Sequence, residues 1–121
     1  MERRRFPRVR FPCKITIYLP EEFNIITHTE NIGCGGVRVL VEKRLKLSSI
    51  VGLELFVGEI QPVRCKGKVV WEIENKNPLN NQVTLFDIGL EFIDIKEVNR
   101  ERIRELVDKV NEYLGVYVRT D

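Results

Sequence analysis

Histidine occurs once in the 121 residues, at His28, and cysteine three times, at Cys13, Cys34 and Cys65. The cysteines are odd in number, unevenly spaced and never arranged as C-x-x-C, so neither a disulfide framework nor a zinc site is expected. A reducing compartment suits them. No stretch comes near the roughly 20 consecutive apolar residues of a membrane span. The opening Met1-Glu2-Arg3-Arg4-Arg5 lacks the apolar segment that a signal peptide places after its charges. The expectation is a cytoplasmic protein without membrane insertion. There is also no phosphate-binding P-loop, no nucleophile motif and no second histidine to complete an acid–base pair, which points away from an enzyme and from a metal or other cofactor.

What is present is an uneven distribution of charge. Arg3, Arg4, Arg5, Arg8, Arg10 and Lys14 face only Glu2 within the first 14 residues, a local net charge of +5. The remainder holds 14 basic and 17 acidic side chains, a net charge of −3. A short cationic arm on a mildly anionic body implies an anionic partner. The plainer reading is a solvated terminus.

Hydrophobic periodicity supplies the fold class. Apolar and polar residues alternate with period two over Cys13 to Leu19, Gly35 to Val41 and Val51 to Val57, the pattern of half-buried strands. Further strands are predicted over Phe23 to about Thr29, Val63 to Ile73 and Val83 to Ile93. The asparagine-rich stretch Asn75 to Asn81, with Pro78 inside it, reads as a loop. From Lys96 to Leu114 the period changes. Ile103, Leu106, Val107, Val110 and Leu114 recur at three- and four-residue spacing, one stripe of an amphipathic helix, with Gly115 as its C-terminal cap. Glu105 and Lys109 are placed to pair across one turn of its solvent side. The chain is therefore expected to be one mainly β domain, residues 1–121: a basic arm over 1–12, a six- to seven-stranded antiparallel β-barrel over 13–95, and a C-terminal α-helix over 96–114.

Two stretches carry candidate chemistry, Arg3-Arg4-Arg5-Phe6-Pro7-Arg8-Val9-Arg10 and Asn31-Ile32-Gly33-Cys34-Gly35-Gly36. Together they resemble the signature of the PilZ domain family, R-x-x-x-R before the first strand and [D/N]-x-S-x-x-G some twenty residues later. Arg4 and Arg8 match the first motif; Asn31 and Gly36 match two of three fixed positions of the second. Gly67-Lys68-Val69-Val70-Trp71 and Ile88-Gly89-Leu90-Glu91-Phe92 are similar to two further strands of the family, and a helix opening with Asn99-Arg100-Glu101-Arg102 is similar to its terminal helix. The resemblance spans nearly the whole chain. It departs from the pattern at Gly33, which stands where the family motif has serine.

The resemblance implies a stand-alone receptor for the bacterial second messenger cyclic di-GMP. In that reading Arg4, Arg5, Arg8, Asn31, Gly33, Gly35 and Gly36 hold the ligand, Arg3 and Arg38 are possible secondary contacts, and the arm orders on binding to signal to a protein effector in motility, pilus or polysaccharide control. No DNA partner is expected. The chemistry is consistent with the residue types. A guanidinium fork matches both a phosphate and the O6/N7 edge of guanine. Asn31 can offer an amide oxygen to the donor edge of guanine. Glycines at positive φ would let backbone N–H groups form an anion-binding nest, although Gly35-Gly36 alone can also be simply a tight turn. Serine at position 33 is expected to add a hydroxyl hydrogen bond unless Gly33 has positive φ. Trp71 reads as core or rim packing. Two alternatives stand beside this reading. One is a PilZ-like interaction module that has lost nucleotide binding, favoured by Gly33. The other is a small barrel for single-stranded nucleic acid, to which an anionic body and aromatics at 8% are poorly suited.

Overall fold

The computed structural model describes residues 7–20, 23–58 and 60–114. It contains seven strands and one helix: β1 (Arg8–Val9), β2 (Lys14–Tyr18), β3 (Ile25–Gly33), β4 (Gly36–Val41), β5 (Ile50–Leu55), β6 (Val63–Lys76), β7 (Val83–Asp94) and α1 (Glu97–Leu114). All pairings are antiparallel, in the order β1-β3-β2-β5-β6-β7-β4, and a further β3–β4 pairing closes six of the strands into a barrel. Closure removes the open sheet edges that would otherwise invite association.

The alternating residues fill the barrel as their period requires. Ile15, Ile17, Val37, Val39, Leu53, Leu55, Val69, Ile88 and Leu90 are buried. Helix α1 covers this core with Ile103, Val107 and Val110, which lie three to four residues apart on one face. It packs on β1 and β3, and Arg102 Nη2 donates to the Val57 carbonyl at 2.9 Å. Its ion pairs are Glu97–Arg100 at 3.9 Å and Glu101–Arg104 at 3.6 Å, both at i,i+3 spacing. They take the place of the expected Glu105–Lys109 pair. Gly115 lies outside the described residues.

Three sequence expectations are revised. First, the arm is part of the sheet from Arg8 onward. β1 runs along the same edge of β3 as β2, with Arg8 opposite Gly33 and Val9 opposite Ile32, and Val9 is fully buried. Burial of Val9 and the ladder hydrogen bonds outweigh the repulsion among neighbouring arginines. Second, β3 continues through Asn31, Ile32 and Gly33, because it has partners on both sides there, β1 and β4. Third, β6 runs to Lys76, because its last residues pair with β7 in a ribbon that extends past the barrel.

The helix is the lid of the core, so its central contact sets much of the stability. Replacing Ile103, fully buried, by alanine is expected to cost about 2–5 kcal/mol. Urea unfolding of parent and variant measures this. A loss below about 1 kcal/mol would show that α1 contributes little to the core.

Candidate nucleotide-binding face

Two β-bulges decide which side chains meet on the outside of the barrel. In β3, Thr29 faces Val39, but the next pair is Asn31 with Arg38, leaving Glu30 as the extra residue. Strict alternation would have placed Asn31 opposite Val37, on the core side. The bulge instead sends Ile32 into the core and puts Asn31 on the face of the sheet that carries Arg38, where Asn31 is nevertheless covered, 2% exposed. In β6, Val69 faces Leu90, and the next pair is Trp71 with Gly89, leaving Val70 as the extra residue. The same shift turns Trp71 outward. Since Arg38 also pairs with Gly89, Asn31, Arg38, Gly89 and Trp71 form one row across β3, β4, β7 and β6. The indole of Trp71 lies over Gly89, in the space that a Cβ there would fill.

At the β3 end of this row lies β1. Thr29 anchors it: Oγ1 donates to the Phe11 carbonyl at 2.6 Å and accepts from the Cys13 N–H at 3.0 Å. Arg8, opposite Gly33, donates from Nη1 to Asn31 Oδ1 at 3.3 Å. Two residues 23 positions apart in sequence are thus in contact. The bond is at the long end of the hydrogen-bond range.

Gly33 and Gly36 flank the two-residue turn between β3 and β4 and pair with one another. Neither has positive φ; among the described glycines that conformation belongs to Gly58. The expected nest of left-handed glycines is therefore not supported at Gly33 or Gly36. Their role is close approach. A Cβ on Gly33 would lie 2.5 Å from the Pro7 carbonyl oxygen and 2.8 Å from Arg8 Cγ. One on Gly36 would run into the Leu90 carbonyl. Between them, Cys34 is buried against α1, and its carbonyl accepts from Arg100 Nη1 at 2.7 Å. Helix and turn are clamped together.

Arg38, a possible phosphate contact from sequence, makes two hydrogen bonds to Asp87, at 2.8 and 2.7 Å. Asp87 raises its pKa further above the ordinary arginine value. The pair is internally neutralised and fastens β4 to β7. Arg3, Arg4 and Arg5 lie outside the described residues. Burial pushes Cys13 up to about 11 and Cys65 up to about 12, so both remain thiols at neutral pH. No metal-binding cluster of histidine, cysteine or carboxylate side chains occurs among the described residues, and no helix among them is long and apolar enough to cross a membrane.

The sequence profile of the PilZ domain matches residues 2–109. The chain belongs to the PilZ domain family. Solved structures share the fold at low identity. The inhibitor of motility MotI/DgrA of Bacillus subtilis superposes with a TM-score of 0.76 at 18% identity, over 95% of this chain and 53% of that one. The PilZ domain of YcgR from Escherichia coli with c-di-GMP gives 0.72 at 15%, over 94% and 98%. The K. pneumonia MrkH–c-di-GMP complex gives 0.76 at 15%, over 95% and 54%. The chain thus spans about half the length of MotI/DgrA and MrkH and nearly all of the isolated YcgR domain. No curated protein matches it in sequence.

The row of side chains was not legible from the motifs, although its members were. Trp71 read as core or rim packing, and its indole does pack over Gly89; the Val70 bulge that sets which face it occupies is invisible to a period-two pattern. Arg100 lies in the stretch that resembles the family's terminal helix, but its clamp on the turn is a contact between distant parts of the chain that the sequence did not signal.

Close approach at Gly33 reverses the expectation for serine there. Gly33→Ser and Gly33→Ala are both expected to destabilise the fold, by about 1–3 kcal/mol of overpacking, with the strain relieved by movement of Pro7 and Arg8. Denaturant unfolding tests it; a serine variant as stable as the parent would show that β1 yields freely.

Proposed function

We propose that this chain is a receptor for cyclic di-GMP and that the ligand lies on the outer row from Arg8 and Asn31 towards Trp71. The observation that carries the reading is the Arg8–Asn31 contact. It joins the two family motifs on one strand pair, so that a guanidinium and an amide oxygen are presented together beside a hairpin. Arg8 supplies donors to a phosphate or to the O6/N7 edge of guanine. Asn31 gives up its bond to Arg8 and accepts from a guanine N–H. Arg4 and Arg5 join from the preceding residues and complete the cationic grip, with Arg3 as a secondary contact. Gly33, Gly35 and Gly36 contribute backbone at close range. Arg38 acts through Asp87 as a positioning residue, holding the β4–β7 floor on which the ligand rests. Trp71 offers an aromatic surface at the far end of the row. The solved PilZ proteins with c-di-GMP support the choice of ligand.

In this reading the chain acts by binding and not by catalysis. What the ligand can order in the arm lies ahead of Pro7, since Arg8 and Val9 are already strand. Binding is then relayed to a protein effector by the rearranged arm and the exposed ligand. Among motility, pilus and polysaccharide control, the neighbour named as an inhibitor of motility supports the first.

Trp71 is the only tryptophan, so its emission reports on the row. Cyclic di-GMP is expected to change that emission in a saturable titration, with calorimetry giving the same affinity. Arg8→Ala removes a charge-assisted contact on the order of 2–5 kcal/mol and is expected to weaken binding at least about 30-fold. Arg4→Ala is expected to act in the same direction. A parent protein that binds no cyclic di-GMP, with its fold intact, would leave the interaction-module reading in its place.

A further inference from the structure

The bulge in β3 leaves a carboxylate on the proposed nucleotide face. Glu30 continues the outward parity of Ile26 and His28 and is exposed like them. After the register shift Asn31 lies on that same face, beside Arg38. An acidic and an amide side chain, adjacent in sequence, thus share one side of the sheet, which regular alternation forbids. Their surroundings differ. Asn31 is 2% exposed, and its Oδ1 already accepts from Arg8. Glu30 is open to solvent, and among the described residues no hydrogen bond or ion pair holds its side chain.

Arg38 feels this carboxylate without being bound to it. Its two hydrogen bonds go to Asp87, at 2.8 and 2.7 Å. Asp87 is the main cause of its raised pKa, and the negative charge of Glu30 adds to the same push. A free carboxylate is out of place on a face that takes a dianion, because it repels the phosphates. It has a use where the nucleotide offers donors. One side of the guanine ring carries N1–H and both hydrogens of the 2-amino group. Asn31 can bring a single oxygen to them. A carboxylate brings a pair, with charge assistance, in the planar arrangement that neighbouring N1–H and N2–H groups fit. In adenine a ring-nitrogen lone pair stands in place of N1–H, and a carboxylate facing it is repelled.

We propose that Glu30 is a ligand-binding residue that selects guanine, its carboxylate accepting the N–H donors that Asn31 leaves over. The inference rests on the cyclic di-GMP reading. The local net charge of +5 in the first 14 residues outweighs the repulsion between one carboxylate and the phosphates, so the face keeps its attraction for the anion. A contact and a bystander differ in sign. Removal of a carboxylate that binds guanine weakens binding, whereas removal of one that only stands near the phosphates tightens it.

The test is calorimetric titration of the full chain and of its Glu30→Gln and Glu30→Ala variants with cyclic di-GMP and with its hypoxanthine analogue cyclic di-IMP, which lacks the 2-amino group. Glu30 is exposed, so both variants are expected to melt like the parent. Glu30→Ala is expected to weaken cyclic di-GMP binding at least about tenfold and Glu30→Gln at least about threefold, the order of a lost charge-assisted hydrogen bond and of its lost charge. The parent's preference for cyclic di-GMP over cyclic di-IMP is expected to fall at least about fivefold in Glu30→Ala, since a contact to the 2-amino group is coupled to that group, while a general electrostatic effect moves both nucleotides alike. Cyclic di-GMP binding that is unchanged or tighter in either variant, or an undiminished preference, would overturn the proposal and leave the receptor reading standing. A folded parent that binds no cyclic di-GMP would overturn both.

Discussion

Register in the closed barrel is the constraint on which the rest depends. A strand shifted by one residue exchanges its core and surface faces. Two of the register shifts in this barrel, made locally by single extra residues at Glu30 and Val70, set the outer row; the β6–β7 ladder has two more, between Lys66 and Gly67 and between Asn75 and Lys76. Up to Thr29, β3 follows one parity; after Glu30 it follows the other, so that Ile32 packs inside the barrel and Asn31 lies, itself covered, on the opposite face of the sheet beside Arg38. The β6 strand does the same around Val70. Without these bulges Asn31 and Trp71 would point into a core lined by valine, leucine and isoleucine, where their polar atoms would lack partners. With them, both belong to one outer row.

The second layer of control is how closely the backbone segments approach. Gly33 lets the Pro7–Arg8 backbone lie against β3, and Gly36 does the same for β7. Thr29 pins Phe11 and Cys13 from one side of the arm, while Arg100 holds the Cys34 carbonyl from the helix. The hairpin is thus fastened to the arm, the sheet and α1 together. Arg8, the turn and the helix are therefore coupled by hydrogen bonds.

Charge is sorted along the same surface. Arg38 is satisfied by Asp87, Arg44 by Glu72 and Glu74, and Arg64 by Glu54. These pairs, on the outside of the barrel, tie neighbouring strands and carry little net field. The six basic residues among the first 14 have only Glu2 as an acidic complement within their own segment. The anion-attracting part of the molecule is accordingly the arm and the strand it leads into.

Much was legible in the sequence because period-two and period-3.6 patterns report burial directly. Ile15, Ile17, Val37, Val39, Leu53 and Leu55 lie in the core as their alternation required, and so do Ile103, Val107 and Val110 on the helix. The motif residues also identified the family. What alternation cannot encode is an interruption of itself, so the bulges at Glu30 and Val70 were hidden, and with them the outward turn of Trp71. Nor does a run of arginines announce that its second half is strand, since pairing of Arg8–Val9 with Ile32–Gly33 is a contact between distant parts of the chain. Residue types and local periods are properties of the sequence by itself; which of them share a row, and that Gly33 serves close packing and not a left-handed turn, were decided only when the strands closed on one another and steric contact selected a single register.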